Sequence, residues 1–282
     1  MAFKFYYALR IALHKNRRLL RYLQIIRSWF ILGPLRDLIV QYYQRRPPAQ
    51  GLRSDERDLF PDLKVDCVVQ SLNEKGYALE HNVPAELVAQ IREYSEATGL
   101  VKHWNPHKEC DAIDAIARNA KILAIARQYL GVEPTLWLTQ LWWSFGRGIG
   151  RQGKHLSRHR EPLLYDEDAF HYDALDFKSL TLFIYLTDVD ASSGPHIVVE
   201  GTHAKKSFSD IRRSVVSDAD IQQRFGDRVK VIVGEKGTML FEETSSYHKA
   251  SPCQTERLML SIDYVLRRPC PPERPLALST PE

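Results

Sequence analysis

The sequence predicts a mainly β protein with flanking helices. Short segments rich in β-branched, aliphatic and aromatic residues recur through its second half, and clusters of Gly, Pro, Asp and Ser separate them. Strands and turn signals in such succession are typical of a jelly roll, the double-stranded β-helix barrel of cupin-like proteins. The predicted strands cover residues 134–145, 180–186, 196–200, 229–233, 238–241 and 257–266. We therefore expect one barrel with an N-terminal helical extension.

Length and composition fit a single barrel. The chain has 282 residues, of which 44% are hydrophobic, enough to bury one large core. We predict a basic amphipathic extension at 1–46, a linker at 47–61, the barrel at 62–270 and a C-terminal tail at 271–282. The four cysteines form no C-x-x-C pair. This favours a reducing, cytoplasmic setting over a disulfide framework.

Helices are predicted between the extension and the first long strand. Residues 84–98 begin with a proline and are followed by Gly99, which is typical of a helix with both ends marked. Residues 111–130 form a second predicted helix, ended by Gly131. Residues 66–77 are expected to contain a short strand that leads into the barrel. We expect both helices to pack on the outside of the barrel.

The chemistry of the chain is concentrated between residues 171 and 257. His171 and Asp173 are separated by one residue. Side chains alternate along a strand, so both can face one metal while Tyr172 points away. His248 can supply a third ligand from an adjacent strand. Two histidines and one carboxylate hold non-haem Fe(II) and leave three coordination positions open.

This ordered set resembles the phytanoyl-CoA dioxygenase family of Fe(II)/2-oxoglutarate oxygenases over about residues 70–268. The matching pieces are His171-Tyr-Asp173, Ser193-Gly-Pro-His-Ile-Val-Val-Glu-Gly-Thr-His203, Gly237-Thr-Met-Leu-Phe241, His248 and Arg257. The resemblance implies a jelly-roll fold that uses Fe(II), 2-oxoglutarate and O2. It also implies that Arg257 holds the far carboxylate of the co-substrate, which suits a planar, bidentate guanidinium.

Four other residues are candidate co-substrate contacts. Phe183 stands where the family often has an aromatic residue against 2-oxoglutarate, and Thr181 shares its face by alternation. Gln140 faces the same way as Trp142 on the first long strand. Ser251 is the hydroxyl nearest to the family's usual serine or threonine after the distal histidine. An ordinary core role is the alternative for Thr181 and Phe183.

Other histidines compete for the metal. His159 and Glu161 form a second H-x-E pair, but Pro162 follows at once and disfavours a central strand there. His196 and His203 are rivals of His248 as third ligand, although His203 lies in a turn that is structural in the family. We favour His171, Asp173 and His248.

A zinc site is a weaker hypothesis. The segment from 103 to 110 contains His103, His107 and Cys110. These are only three ligands, Pro106 interrupts them, and no fourth ligand is evident. We expect an ordinary loop.

The set as a whole predicts a dioxygenase that hydroxylates an unactivated C–H bond and releases succinate and CO2. Acyl-CoA, a lipid, a lipid-linked or lipopolysaccharide sugar and a secondary metabolite are all candidate substrates. Halogenating relatives lack the metal-binding acid, whereas Asp173 is present here. Two alternatives are a cupin-like metal protein that does not use 2-oxoglutarate, which Arg257 disfavours, and an inert membrane-associated scaffold, which the complete triad disfavours.

Charge is unevenly distributed. Residues 1–46 hold ten Lys or Arg and one acid, a charge of +9, so the overall +4 leaves −5 for the remaining 236 residues. The apolar stripe of a predicted helix is Phe5, Leu9, Ala12, Leu19, Leu23, Ile26 and Phe30, and the opposite stripe is Arg10, His14, Arg17, Arg18 and Arg21. We predict a second short helix at 35–43.

This extension predicts peripheral attachment to an anionic membrane surface, with packing on the barrel or on another subunit as the alternative. No run of about 18 apolar residues predicts a spanning helix. A second basic segment, 147–160, directly precedes the metal motif, where it would favour an anionic substrate. A solvated loop is the alternative for that segment. We expect no nucleic-acid partner.

Overall fold

A computed structural model describes residues 16–46, 51–81, 83–145, 169–204, 206–213 and 215–266. The strands are β1 (Tyr77–His81), β2 (Lys102–Trp104), β3 (Thr135–Ser144), β4 (Phe170–His171), β5 (Ser179–Tyr185), β6 (His196–Val199), β7 (Val215–Val216), β8 (Val229–Ile232), β9 (Thr238–Glu242), β10 (His248–Ala250) and β11 (Arg257–Val265). The helices are α1 (Arg17–Leu32), α2 (Arg36–Gln44), α3 (Val65–Lys75), α4 (Ala85–Thr98), α5 (Asp111–Arg118), α6 (Ala120–Leu130), α7 (Phe208–Arg213) and α8 (Asp218–Phe225).

The strands form two sheets. One has six strands in the order β1-β9-β5-β11-β3-β2, and the other has five in the order β7-β4-β10-β6-β8. Strand pairing is antiparallel in both. Residues of both sheets share one apolar cluster, which places the two sheets face to face. The predicted double-stranded β-helix with flanking helices is confirmed.

The six-stranded sheet separates two environments. Leu182, Ile184 and Leu260 belong to the cluster formed with helices α3 to α6, on the outside of the barrel. The alternate residues Phe183 and Tyr185 belong to the cluster inside the barrel, between the sheets. This alternation is the period of two expected of a strand that is buried on both faces.

Two secondary-structure predictions need correction. The strand expected within 66–77 was wrong, because residues 65–75 form α3 and the strand begins only at Tyr77. Val68, Val69 and Leu72 are buried, a spacing that fits one helical face. The left-handed Gly76 (φ 84°) ends the helix. The pattern in that segment is therefore helical, and alternation starts after the glycine.

The predicted helix at 111–130 is two helices. Asn119 adopts φ −55° and ψ 136°, which interrupts the helical path. Its side chain accepts a hydrogen bond from the Lys121 backbone N–H at 3.0 Å and so caps α6. The Asn119 side-chain amide also donates to the Arg57 carbonyl at 2.9 Å. An asparagine that satisfies two backbone groups explains why the break occurs there.

The extension contains helices α1 and α2 in its described part, and residues 1–15 lie outside it. In the predicted linker, residues 51–61 are described, where Asp55 pairs with Asn119 and Phe60 is fully buried. The predicted tail lies outside the described residues. None of the helices described is long and apolar enough to cross a membrane.

Candidate metal centre

Two histidines meet on adjacent strands of the five-stranded sheet. His171 of β4 and His248 of β10 are directly paired across the ladder. Directly opposed residues share a face, and here their ring centroids are 4.4 Å apart. Both side chains are buried. The strand register therefore brings residues 77 positions apart in the sequence to one point.

Asp173 completes the group from the segment that follows β4. Its backbone N–H donates to the Thr244 carbonyl at 2.8 Å, which fixes the segment beside β10. Asp173 Oδ2 lies 3.7 Å from His248 Nε2. One ligand atom from each of His171, Asp173 and His248 lies within 4.8 Å of the others. Two imidazoles and one carboxylate at this separation fit a 2-His-1-carboxylate metal centre.

The hydrogen bonds of the histidines prepare them as ligands. His171 Nδ1 donates to the Ala169 carbonyl at 2.9 Å, and His248 Nδ1 donates to the Ser246 carbonyl at 3.0 Å. Each bond places the ring proton on Nδ1 and so fixes the tautomer in which Nε2 is the metal-binding nitrogen. Burial, followed by the charge of His171, lowers the pKa of His248 to about 4. His248 is therefore neutral at physiological pH, as a ligand must be.

Asp173 marks the open side of this centre. Its side chain is 30% exposed, whereas that of His248 is 7% exposed. A metal held by the three residues would therefore be accessible from the direction of Asp173 and shielded behind His248.

Arg257 is a buried cation on the opposite sheet. It begins β11, is 2% exposed, and donates through Nη1 to the Gly194 carbonyl. Its Nη2 donates to Ser144 Oγ at 3.3 Å, and Nε has no hydrogen-bond partner in the described part of the chain. Burial, and next to it the positive charge of Arg257, lower the pKa of His196 to about 3. The charge of Arg257 therefore acts inside the barrel. A buried guanidinium with an unpaired N–H fits a carboxylate ligand.

His196 and Glu242 form a second buried pair beside the metal residues. Their Nε2 and Oε2 atoms are 2.7 Å apart but are not aligned for a hydrogen bond. The His196 ring stacks on the ring of His248, with centroids 5.5 Å apart. Burial lowers the pKa of His196 and raises that of Glu242 to about 7. Burial thus disfavours the charged form of both partners, and the pair forms part of the inner wall of the barrel.

Three predicted co-substrate contacts lie on the inner surface of the six-stranded sheet. Phe183 and Gln140 are each paired with Ser261 of β11, and the Phe183 ring is 5.1 Å from that of His196. The Thr181 hydroxyl donates to Asp263 Oδ1 at 2.7 Å. The fourth, Ser251, lies on a loop and donates its backbone N–H to the Pro195 carbonyl.

Sequence reasoning missed Ser144, Glu242 and Asp263. Among the described residues, the hydroxyl that accepts a hydrogen bond from Arg257 belongs to Ser144 and not to the predicted Ser251. Ser144 is paired with Arg257 across β3 and β11. Alternation along β9 and β11 could have indicated that Glu242 and Asp263 face the interior, but only the register shows what they contact.

The rival histidines occupy other positions. The carbonyl of His203 accepts bonds from Arg36 and from the Ser245 hydroxyl. His103 contacts the Thr98 hydroxyl, and His107 contacts that of Thr139. Among the residues that the structure describes, the one group close enough to hold a metal is the triad. The basic segment at 147–160 and the pair His159 and Glu161 lie outside those residues.

The fold and this centre together define a double-stranded β-helix protein with a candidate metal site on its smaller sheet. No protein-family model matches the sequence, and no curated protein is detectably similar to it. Solved structures share the fold. The apo form of EctD from S. alaskensis superposes with a TM-score of 0.53 at 16% identity, covering 82% of this chain and 88% of EctD.

Two further solved structures share the fold. The non-haem α-ketoglutarate-dependent epimerase SnoN, from nogalamycin biosynthesis, has a TM-score of 0.54 at 15% identity, covering 71% of this chain and 82% of SnoN. The non-haem monooxygenase ThoJ has a TM-score of 0.50 at 18% identity, covering 70% and 76%. At such identities the likeness establishes the fold that this chain shares with these enzymes.

Proposed function

We propose that the protein is a non-haem Fe(II)/2-oxoglutarate-dependent dioxygenase of the phytanoyl-CoA dioxygenase type that hydroxylates a C–H bond. The observation that carries the proposal is the meeting of His171, Asp173 and His248, with the Nδ1 atom of each histidine held by a backbone carbonyl. Related folds support it, since EctD has been solved with bound Fe and with 2-oxoglutarate and 5-hydroxyectoine. SnoN has the same fold but is an epimerase, so the fold by itself is compatible with more than one reaction. Hydroxylation is therefore part of the proposal.

The described residues have separate roles in this proposal. His171, Asp173 and His248 would hold Fe(II), which with 2-oxoglutarate and O2 supplies the oxidising chemistry and yields succinate and CO2. Arg257 would bind the far carboxylate of the co-substrate, and Ser144 would orient the guanidinium. Phe183, packed against His196, would exclude water from the space between them.

We propose a small or amphiphilic anionic substrate. The support is the positive charge of the sequence at 147–160, upstream of the metal-binding strand, and the partial exposure of Asp173 on the open side of the centre. An acyl-CoA, a lipid, a lipid-linked or lipopolysaccharide sugar and a secondary metabolite all satisfy this chemistry. A screen for substrates that stimulate 2-oxoglutarate turnover, read as succinate, distinguishes this proposal from a cupin-like protein that does not use the co-substrate.

Anaerobic Fe(II) titration tests the metal centre. We expect His171→Ala and His248→Ala to weaken Fe(II) binding by more than about 100-fold, because loss of a ligand exceeds the 10–100-fold effect of losing an outer hydrogen bond. Addition of 2-oxoglutarate to the wild-type Fe(II) complex should produce a visible charge-transfer band that both variants lack.

His107→Ala is the matched control, since His107 is a half-buried histidine outside the group. It should bind Fe(II) as the wild type does. Far-UV circular dichroism of all variants establishes that the barrel is folded. Full-strength Fe(II) binding by folded His248→Ala would overturn the assignment.

A further inference from the structure

Helices α1 and α2 have apolar side chains on their outer sides. Of the thirteen large apolar residues that are exposed in the described chain, nine lie on these helices, the turn between them or the adjoining α7. They are Leu19, Tyr22, Ile26, Trp29, Phe30, Leu35, Leu38, Tyr42 and Phe208. Their concentration is unlike scattered surface residues, which need no explanation, and marks an interaction surface. We call these nine residues the apolar face.

The two helices still pack on the protein by their other sides. Ser28, Ile31 and Leu32 of α1 are buried, and α1 contributes to the cluster under the five-stranded sheet. The exposed residues of α1 recur at positions 19, 22, 26 and 29, a spacing of three and four that lies opposite this buried side. The sequence left open whether the extension packs on the barrel or attaches to a membrane, and the structure shows packing that leaves an apolar side of α1 exposed.

Exposed basic side chains lie on the same two helices. Arg18 and Arg21 are exposed on α1, and Arg45 and Arg46 are exposed at the end of α2. Arg46 stacks over the Tyr42 ring at 4.6 Å from its centroid. Aromatic, aliphatic and arginine side chains in this combination suit the boundary between lipid headgroups and acyl chains.

We infer that the apolar face docks on the surface of an anionic lipid bilayer. The charge of residues 1–46 is +9, which complements acidic headgroups. A second copy of the chain would bring the same positive charge to the contact and would be repelled. A bilayer also accepts side chains that protrude from two helices without a shaped partner surface.

The docking surface is attached close to the candidate metal centre. Arg36 Nε donates to the Phe177 carbonyl at 2.6 Å, and Arg27 Nη2 donates to the Leu175 carbonyl at 3.4 Å. Both carbonyls belong to the segment that follows the ligand Asp173. Provided that the proposed function holds, this attachment favours a substrate drawn from the bilayer.

Vesicle co-sedimentation of the full-length protein tests the inference, with phosphatidylcholine vesicles that contain or lack phosphatidylglycerol. We expect binding to the anionic vesicles only, weakened by salt. The double variant Ile26→Glu, Leu38→Glu should lose the binding, because both side chains are 64% exposed and carboxylates oppose both burial and the surface charge. Arg45→Gln and Arg46→Gln should each weaken it about fivefold.

The matched control is Leu100→Glu, Val231→Glu, which changes two apolar residues that are 56% and 53% exposed and lie away from the apolar face. It should bind as the wild type does. Equal loss in both double variants, binding to neutral vesicles alone, or no binding at low salt would overturn the inference. So would a wild-type dimer, detected by light scattering, that Ile26→Glu, Leu38→Glu converts to monomers without any vesicle binding. Because the assay needs neither iron nor 2-oxoglutarate, its result is independent of the proposed function.

Discussion

At the scale of single residues, the interior of the barrel holds two carboxyl groups whose pKa is raised by burial. Glu242, Thr181 and Asp263 are neighbours in one row across β9, β5 and β11. Burial raises the pKa of Glu242 and of Asp263 to about 7, whereas an unperturbed carboxyl group ionises near pH 4. Both groups therefore resist ionisation inside the fold.

We expect Asp263→Asn to change how stability depends on pH. Between about pH 4 and 7, folded wild type retains a proton on Asp263 that the unfolded chain releases. Wild-type stability should therefore fall relative to the variant as pH rises, by about 1.4 kcal/mol per pH unit. The charge of Asp173 adds to the effect of burial, and that of Lys102 opposes it.

Urea unfolding of the metal-free proteins across this pH range measures the difference. The asparagine keeps an oxygen that can accept the Thr181 hydrogen bond. Subtraction of the two profiles cancels the titration of the buried histidines, which are present in both proteins. Parallel profiles would mean that Asp263 ionises normally.

Arg257 should determine co-substrate affinity without affecting the metal. A charge-assisted hydrogen-bonded pair contributes about 1.5–3 kcal/mol, so Arg257→Ala should raise the KM for 2-oxoglutarate about 10- to 150-fold. Arg257→Lys should give an intermediate value, since lysine keeps the charge but loses the planar fork. The Fe(II) affinity, measured by titration, should be unchanged in both variants. An unchanged KM would point to another cation, with Arg267 and Arg268 next in the sequence.

At the scale of elements, one buried ion pair holds the α1–α2 hairpin on the barrel. Arg36 and Glu243 are both buried and lie 3.4 Å apart. Glu243 also accepts hydrogen bonds from Ser179 and from the Tyr129 hydroxyl. The extension is thereby joined to the segment before β5 and to the end of β9. The surface proposed to dock on a bilayer is thus held in a fixed position relative to the barrel.

Arg36→Ala should destabilise the protein by about 3–5 kcal/mol, because it leaves the Glu243 carboxylate buried without its cation. Guanidinium unfolding followed by circular dichroism gives the value. Arg92→Ala is the control, since Arg92 pairs with Glu96 on the exposed side of α4 at 3.8 Å. Loss of that pair should cost less than about 1 kcal/mol. Similar values for the two variants would show that the buried pair does not anchor the hairpin.

At the scale of the whole molecule, the proposed ligands join the two sheets. His171 and His248 belong to the five-stranded sheet, whereas Arg257 belongs to the six-stranded sheet. A 2-oxoglutarate molecule bound to the metal and to Arg257 would therefore cross the interior and connect both sheets. Stabilisation by ligands should reflect this geometry.

Fe(II) with 2-oxoglutarate should raise Tm more than Fe(II) alone. A ligand at 100 times its Kd adds about 2.7 kcal/mol of stability, which corresponds to an increase of about 5–10 °C for a protein of this size. Anaerobic differential scanning fluorimetry measures both steps, and a chelator should reverse them. Arg257→Ala should keep the metal step and lose the co-substrate step. A co-substrate step that survives in this variant would exclude a bridge through Arg257.

The sequence by itself determined the barrel and much of its inner surface. Alternation in the long strands and the glycines at their turns carry that information, because a strand that is one side of a barrel must alternate. The same alternation predicts that His171 and Asp173 point one way. The helix at 65–75 escaped prediction because its short apolar pattern is compatible with either period.

Only the tertiary structure decided which distant residues meet. Ser144 contacts Arg257 and Arg36 contacts Glu243 across 113 and 207 positions of the chain. No local pattern encodes such partners, since they follow from strand register and from the packing of elements on one another. The sequence also left open which side of α1 faces away from the protein. Apolar spacing shows that a helix has a distinct face, but whether that face meets the protein core or its surroundings depends on where the helix is attached.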